Sequence, residues 1–196
     1  MLDYVTREEH RRIAAQDYVR DFVNVPKFVE FCRECGSHNQ TWACPEFDFD
    51  PLDVWQKYRW LHLSARIMEF TPGQPRTGIP HQQLLDDVRA MFSKEKWHAY
   101  RQLVALHRRV PGSVGLSVGS CEVCTECTRP QGLPCRNPDQ LFHSIESMGG
   151  DVMGTMSTIF GHPTLWSDGT TLPASYLVVT GLLCNVEELP ERALAR

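Results

Sequence analysis

Cysteine is the residue type whose spacing in this chain points most directly to chemistry. Seven of the eight cysteines fall into two groups, each containing pairs with two residues between them. In a chain without an export signal, thiols at this spacing are typical metal ligands, and a disulfide framework is not expected. We name these sets the first cysteine group, which is Cys32, Cys35 and Cys44, and the second cysteine group, which is Cys121, Cys124, Cys127 and Cys135.

The second cysteine group has the spacing of an iron–sulfur ligand set. Its first three thiols match the first three positions of the bacterial ferredoxin run, so a tight loop can direct them towards three irons of a cubane. Cys135 comes later, and a loop through Pro130, Gly132 and Pro134 is long enough to return it to the remaining iron. We therefore expect a [4Fe-4S] cluster here. Zinc, which usually binds two well-separated cysteine pairs, is the alternative.

The first cysteine group supplies three ligands and leaves the fourth open. His38 is one candidate and would complete a mixed zinc site, and Cys184 is another. A third possibility is a cubane in which one iron has no protein ligand. A fourth is an exchange of cysteines between two clusters, as in two-cluster ferredoxins. We expect a second metal centre at this group, either a further [4Fe-4S] cluster or zinc.

Composition and charge argue against several other functional classes. The 196 residues include 20 basic and 24 acidic side chains, a net charge of -4, which disfavours a general nucleic-acid binder. The longest apolar run, from Tyr176 to Cys184, is far shorter than the ~20 residues that span a bilayer, and the first residues lack the pattern of a secretory signal. Glycine-rich nucleotide loops are absent. We expect a single cytoplasmic metal-binding domain over residues 1–196 that binds neither nucleic acid nor membrane.

Hydrophobic periodicity and turn residues predict an α+β (mixed α/β) domain with a small mixed sheet of about four strands, flanking helices and two cysteine-rich metal-binding loops. Strands are predicted at residues 59–70, 114–118 and 175–184, the last preceded by a hairpin turn at 167–170 and a strand ending near Trp166. Helices are predicted at residues 6–23, from Pro26 towards Cys32, at 51–58, 81–109 and 138–148, and in a short segment capped by Asp151.

Several of these motifs together resemble a known family. The stretch from Cys32 to Pro45, the run from Gly119 through the second cysteine group to Pro138, and the segment Met148–Val152 are similar to uncharacterised cysteine-rich proteins described as predicted metal-binding proteins. The resemblance implies metal binding through the seven grouped cysteines, and the family's similarity to components of anaerobic metabolism favours a cluster over zinc. Glu46 stands where a second proline is expected, and His38 does not match a family requirement.

Three functions are compatible with these residues. The leading hypothesis is an iron–sulfur protein with one or two [4Fe-4S] clusters that transfers electrons to or within a partner enzyme, because no second cofactor motif is visible. The second is an enzyme whose open iron acts as a Lewis acid in hydration or accepts sulfur in desulfuration. The third is a zinc-stabilised interaction module without redox chemistry. The leading hypothesis implies a redox partner protein.

Overall fold

One mixed sheet, with its connecting helices, supports the loops that carry both cysteine groups. The computed structural model describes residues 2–162 and 171–190. Within those ranges five strands form one sheet: β1 (Tyr4–Ala14), β2 (Trp60–Phe70), β3 (Val114–Ser117), β4 (His143–Ser144) and β5 (Ser175–Cys184). Their order across the sheet is β1-β2-β5-β3-β4, and every neighbouring pair is antiparallel except β3 with β4.

Helices and single turns connect these strands. The described helices are α1 (Ala15–Phe22), α2 (Val25–Glu34), α3 (Pro51–Trp55), α4 (His81–Arg109) and α5 (Val152–Gly154), with a π-turn at Thr155–Ile159 and 3-10 turns at Arg129–Gln131 and Pro138–Gln140. No helix in the described part of the chain is both long and apolar enough to cross a membrane. The α+β class predicted from the sequence is confirmed, with five described strands where about four were expected.

Two apolar layers cover opposite faces of the central strands β2 and β5. On one face, Leu61 and Leu63 of β2 pack with α1, α3 and α5, where Tyr18 and Trp55 are fully buried. On the other face, α4 packs against Tyr176, Val178 and Leu182 of β5. Because both faces of β5 are covered, this strand is buried along almost its whole length and reads in the sequence as a nearly continuous apolar run.

The predicted helix at residues 6–23 is wrong in its first half. Tyr4–Ala14 is an edge strand that pairs with β2 along 11 residues, and only Ala15–Phe22 is helical. The apolar positions in this segment are sparse, whereas residues 7–12 are all charged or histidine. Such a sequence suits an edge strand, where charge discourages pairing with another chain. Pairing with β2 therefore overrides a weak helical pattern.

The predicted helix at residues 138–148 is also wrong. Pro138 begins a single 3-10 turn, and His143–Ser144 then pairs in parallel with the end of β3. The hydroxyl of Ser144 accepts from the backbone N–H of Ser147 (3.0 Å), and the Ser147 hydroxyl donates to the Ser144 carbonyl (3.0 Å). These local bonds offer the backbone an alternative to helical hydrogen bonds.

The other predicted elements agree with the structure wherever it describes them. The helices that begin near Pro26, Pro51 and His81 are confirmed, as is the Asp151 side chain as a cap, which accepts from the N–H of Gly154 (2.8 Å). The strands β2, β3 and β5 are confirmed as well. The predicted hairpin turn at 167–170 and the strand ending near Trp166 lie outside the described residues.

A close contact with Gly149 fixes the start of α2. The backbone N–H of Asn24, the residue before the helix, donates to the Gly149 carbonyl (2.8 Å). Gly149 has a φ of 84°, and a Cβ there would lie 2.6 Å from Cγ2 and 2.9 Å from Cα of Val25. A side chain is excluded at this point by both its conformation and its surroundings. Gly149 therefore helps to set the position of the helix that carries Cys32.

We expect Gly149→Ala to lower the free energy of unfolding by about 2–4 kcal/mol, because the new Cβ overpacks Val25 and strains a left-handed backbone. Urea denaturation measures this change. Gly73→Ala is the matched control: a Cβ at Gly73 meets no atom within 4 Å, so its effect should stay within about 0.5 kcal/mol. Equal, small effects of the two substitutions would contradict the described approach of α2 to Gly149.

Candidate metal centres

The first cysteine group lies at the end of α2 and in the loop that follows it. Cys32 is in the last turn of α2, and the backbone N–H of Cys35 donates to the Cys32 carbonyl (3.1 Å) where the helix ends. Cys44 lies in the first loop, which we define as residues 36–50. All three cysteines line the same large cavity.

Asn39 closes the first loop around Cys44. Its φ of 56° is uncommon for a residue other than glycine and is best tolerated by asparagine and aspartate. The backbone N–H of Asn39 donates to the Cys44 carbonyl (2.8 Å), and its side-chain Oδ1 accepts from the N–H of Glu46 (2.8 Å). Asn39 was not identified from the sequence, where its turn propensity is the only available signal.

The first loop is also attached to the sheet through β4. His143 donates from Nδ1 to the carbonyl of Ala43 (3.0 Å), the residue before Cys44. The imidazole ring stacks edge-on against Phe47, with ring centroids 4.8 Å apart. Burial lowers the pKa of His143, although its bond to Ala43 acts in the opposite direction. A neutral imidazole therefore fixes the backbone beside Cys44.

The second cysteine group lies in the second loop, residues 118–142, which leaves the sheet at the end of β3. Thr128 folds the lengthened segment before Cys135 by donating from its hydroxyl to the Pro134 carbonyl (2.8 Å). Asn137 joins two of the thiols: Nδ2 donates to Sγ of Cys124 (3.1 Å) and the backbone N–H donates to Sγ of Cys135 (3.4 Å). In metal–thiolate sites, such N–H···S bonds tune the electronic properties of the centre.

All four thiols of the second cysteine group line one small pocket, together with Asn137 and Trp42. The pocket has a volume of about 20 Å³. In residues 2–162 and 171–190, no three His, Cys, Asp or Glu side chains are arranged closely enough to hold a metal ion. The chemistry of the donors, four thiols with two N–H groups directed at sulfur, suits zinc or an iron–sulfur cluster. Coordination of either requires the sulfur atoms to shift around it.

Three contacts join the two cysteine loops, and we call them the Trp42–Arg129 clasp. The indole Nε1 of Trp42, in the first loop, donates to the carbonyl of Leu133 in the second (3.0 Å). The guanidinium of Arg129 lies over the Trp42 ring, 4.5 Å from its centroid. Arg129 also donates from Nη2 to Oδ1 of Asn39 (2.7 Å). The guanidinium of Arg129 is therefore held by two contacts with the first loop rather than freely solvated.

Burial raises the pKa of thiols in both groups. It raises the pKa of Cys44 to about 11, although the neighbouring Thr41 hydroxyl acts in the opposite direction. Burial is also the main reason for the raised pKa of Cys32, with a further contribution from Glu146, and of Cys121. These three thiols are thus protonated at neutral pH when they have no metal, and metal binding must release their protons.

A cavity of about 1130 Å³ adjoins the first cysteine group. His38, one candidate for the fourth ligand, lines it together with the three thiols. So does Glu146, whose pKa is raised by burial and whose Oε2 is buried without a hydrogen-bond partner among the described residues. Glu146 was missed at the sequence level because a single glutamate between β4 and a glycine pair carries no recognisable signal.

Cys184 lies apart from the first cysteine group. It ends β5 opposite Trp60 and belongs to the apolar cluster between that strand and α4. Its thiol donates to the Val186 carbonyl (3.3 Å), and it does not line the cavity that the first group lines. Cys184 is therefore a buried strand thiol, and the candidate fourth ligand at Cys184 is not supported.

Comparison with known protein families gives a match over most of the chain. A family model described as "Predicted metal-binding protein (DUF2284)" matches residues 18–183, a range that contains both cysteine groups. The resemblance inferred from the cysteine motifs is thereby confirmed. Neither the curated proteins nor the solved structures give a significant match.

The clasp predicts energetic coupling between Trp42 and Arg129. In a double-mutant cycle with Trp42→Ala and Arg129→Ala, we expect a coupling free energy of about 0.5–2 kcal/mol, because each single variant already removes the cation–π contact. Urea denaturation of the four proteins measures it. Arg20, whose side chain is exposed and paired with Asp17 and Asp21, supplies the control cycle with Trp42. Additive effects in the Trp42–Arg129 cycle would show that the two loops are not joined in this way.

Proposed function

The chain belongs to the family of predicted metal-binding proteins of unknown function, and from this premise we propose that it is an iron–sulfur protein that transfers electrons to or within a partner enzyme. The second cysteine group holds a [4Fe-4S] cluster in this proposal. The first cysteine group holds a second metal centre, either another cluster or zinc. The observation that carries the proposal is that four thiols with ferredoxin-like spacing all line a single pocket.

The residues around the second group have distinct parts in this proposal. A bound cluster supplies one-electron chemistry. Cys121, Cys124, Cys127 and Cys135 provide the thiolates, and Asn137 donates hydrogen bonds to two of their sulfur atoms. Trp42 lines the same pocket. Arg129 brings a positive charge to the loop, which favours the more negative, reduced state of an anionic centre.

The clasp supports a functional link between the two groups. Trp42 lies in the first loop, two residues before Cys44, and lines the pocket of the second group, so the first loop reaches the ligands of the second group. Asn39 connects them a second time, because it bonds to the Cys44 carbonyl and to Arg129. Two centres held by loops in direct contact suit electron transfer between them.

The cavity beside the first cysteine group favours a second candidate function, an iron–sulfur enzyme. Three cysteines leave one iron of a cubane without a thiolate, and the adjoining cavity of about 1130 Å³ is large enough for a small-molecule substrate. EPR spectra of the reduced protein with and without imidazole or 2-mercaptoethanol separate the two candidates. We expect unchanged spectra for electron transfer alone, whereas a ligand-dependent spectrum would assign an open iron and favour the enzyme.

Metal analysis tests the leading proposal. We expect anaerobically prepared protein to contain about four irons and four sulfides for each cluster, and Cys124→Ser to lose those of the second group. Because thiolate binding to metal is coupled to folding, the same variant should melt at a lower temperature. The matched control is Cys184→Ser, which can preserve the bond to the Val186 carbonyl and should keep the wild-type iron content.

Three results would change the account. Zinc without iron or sulfide would replace the proposal by the zinc-stabilised interaction module. An unchanged iron content in Cys124→Ser would remove the second cysteine group as the cluster site. Complete loss of metal with an unchanged melting temperature would keep the cluster but show that it does not stabilise the fold.

A further inference from the structure

The large cavity arises where β3 leaves the sheet early. β3 pairs with β5 only at Gly181, Leu182 and Leu183, so the earlier half of β5 does not have β3 beside it. The cavity lies there, with α2 and the first loop on its other side. Its walls are mainly apolar and include Phe28, Phe31, Phe92, Met153, Leu177 and Val179. Small-molecule sites combine this kind of wall with a few polar groups.

Glu146 is the polar group in this cavity that the fold leaves incompletely bonded. Ser144 and the Glu146 backbone provide hydrogen bonds to its carboxyl group. Its Oε2 atom is nevertheless buried and has no partner among the described residues. Buried polar atoms in native proteins are almost always hydrogen-bonded, and each exception requires an explanation. A hydrogen-bond donor on a ligand in the cavity would supply the missing partner once the carboxyl group turns towards it.

The charges around the cavity favour a positively charged donor. Among the described residues that line it, three carry a carboxyl group (Glu46, Asp50 and Glu146), whereas Arg33 is the one lysine or arginine. Arg33 lies 4.0 Å from Glu46, so its charge is already opposed. Lys96 attracts Glu146 through space, but its ammonium is bonded to Glu122 (2.5 Å). An anion bound in the cavity would have little positive charge nearby to balance it.

The mouth of the cavity offers an apolar entry path. Phe31, Phe49 and Met153 line it and are 58%, 40% and 40% exposed. Phe31 and Met153 come from helices α2 and α5, and Phe49 comes from the first loop. Large apolar side chains exposed together at the edge of a cavity are typical of binding sites.

We propose that this cavity is a binding site for an organic ammonium ion with an apolar, aromatic-sized body, and that Oε2 of Glu146 accepts a hydrogen bond from the ammonium group. The site goes beyond the electron-transfer function and shares its cavity with the first cysteine group. The apolar walls contact the body of the ligand. The ammonium group stabilises the ionised form of Glu146 against the burial that raises its pKa, and the resulting charge-assisted hydrogen bond is stronger than a neutral one.

A set of probes with one ring system tests the site. 1-Naphthylmethylamine, 1-naphthalenemethanol and 1-naphthoate present the same apolar body with a cationic, a neutral and an anionic end. Calorimetric titration of the protein as isolated should give the tightest binding for the amine, at least about tenfold tighter than for the carboxylate. Metal content is measured on the same samples, so that failure of this site and failure of the iron–sulfur proposal are seen separately.

Two glutamate variants identify the anchor. In Glu146→Gln we expect affinity for the amine to fall about tenfold and affinity for the alcohol to stay within about twofold, because glutamine keeps an acceptor but loses the charge. Glu46→Gln is the matched control, since Glu46 lines the same cavity but is largely exposed, and it should change amine binding by less than about twofold.

Several outcomes would overturn the proposal. They are equal affinities for the three probes, tighter binding of naphthoate than of the amine, no binding of any probe at millimolar concentration, or an amine affinity that Glu146→Gln leaves unchanged. A Glu146→Gln protein that still binds the alcohol normally is folded, so loss of amine binding in that protein supports the anchor.

Discussion

The contact between Trp42 and Arg129 is the interaction on which the arrangement of the two cysteine loops depends. Neither loop contains a long helix or strand, so neither can hold its thiols in place by regular hydrogen bonding alone. The clasp combines a cation–π contact with hydrogen bonds to Leu133 and Asn39. A guanidinium that is partly withdrawn from water gains more from an aromatic ring than an exposed one, up to about 2 kcal/mol. Both predicted metal centres therefore share one support.

The sheet and the helices position the two cysteine loops for this contact. Gly149 lets α2 approach closely enough to fix the end that carries Cys32, and His143 of β4 holds the backbone at Ala43. β3 ends at Ser117, and the second loop begins at the next residue. The early end of β3 also makes room for the large cavity. One feature of sheet topology thus explains why a cavity and two sets of thiols lie on the same side of the protein.

The sequence predicts elements with a strong local signal and misses those that depend on distant partners. The helix at His81–Arg109 and the strand at Ser175–Cys184 were predicted because their apolar patterns are long and regular. The sequence indicates a helix where the structure has β1, because only pairing with β2 distinguishes this charged segment as an edge strand. The cysteines were found by spacing alone. Asn39, Asn137 and Glu146 were not, because their importance lies in contacts with residues far away in the chain.

X-ray absorption at the iron edge of anaerobically purified protein tests the central claim most directly, because it reports the atoms around the metal rather than its amount. We expect iron surrounded by sulfur, with the iron–iron scattering of a cluster, and a loss of that signal when the thiols of the second cysteine group are replaced by serine. Iron surrounded only by nitrogen and oxygen, or a signal that survives those replacements, would contradict it.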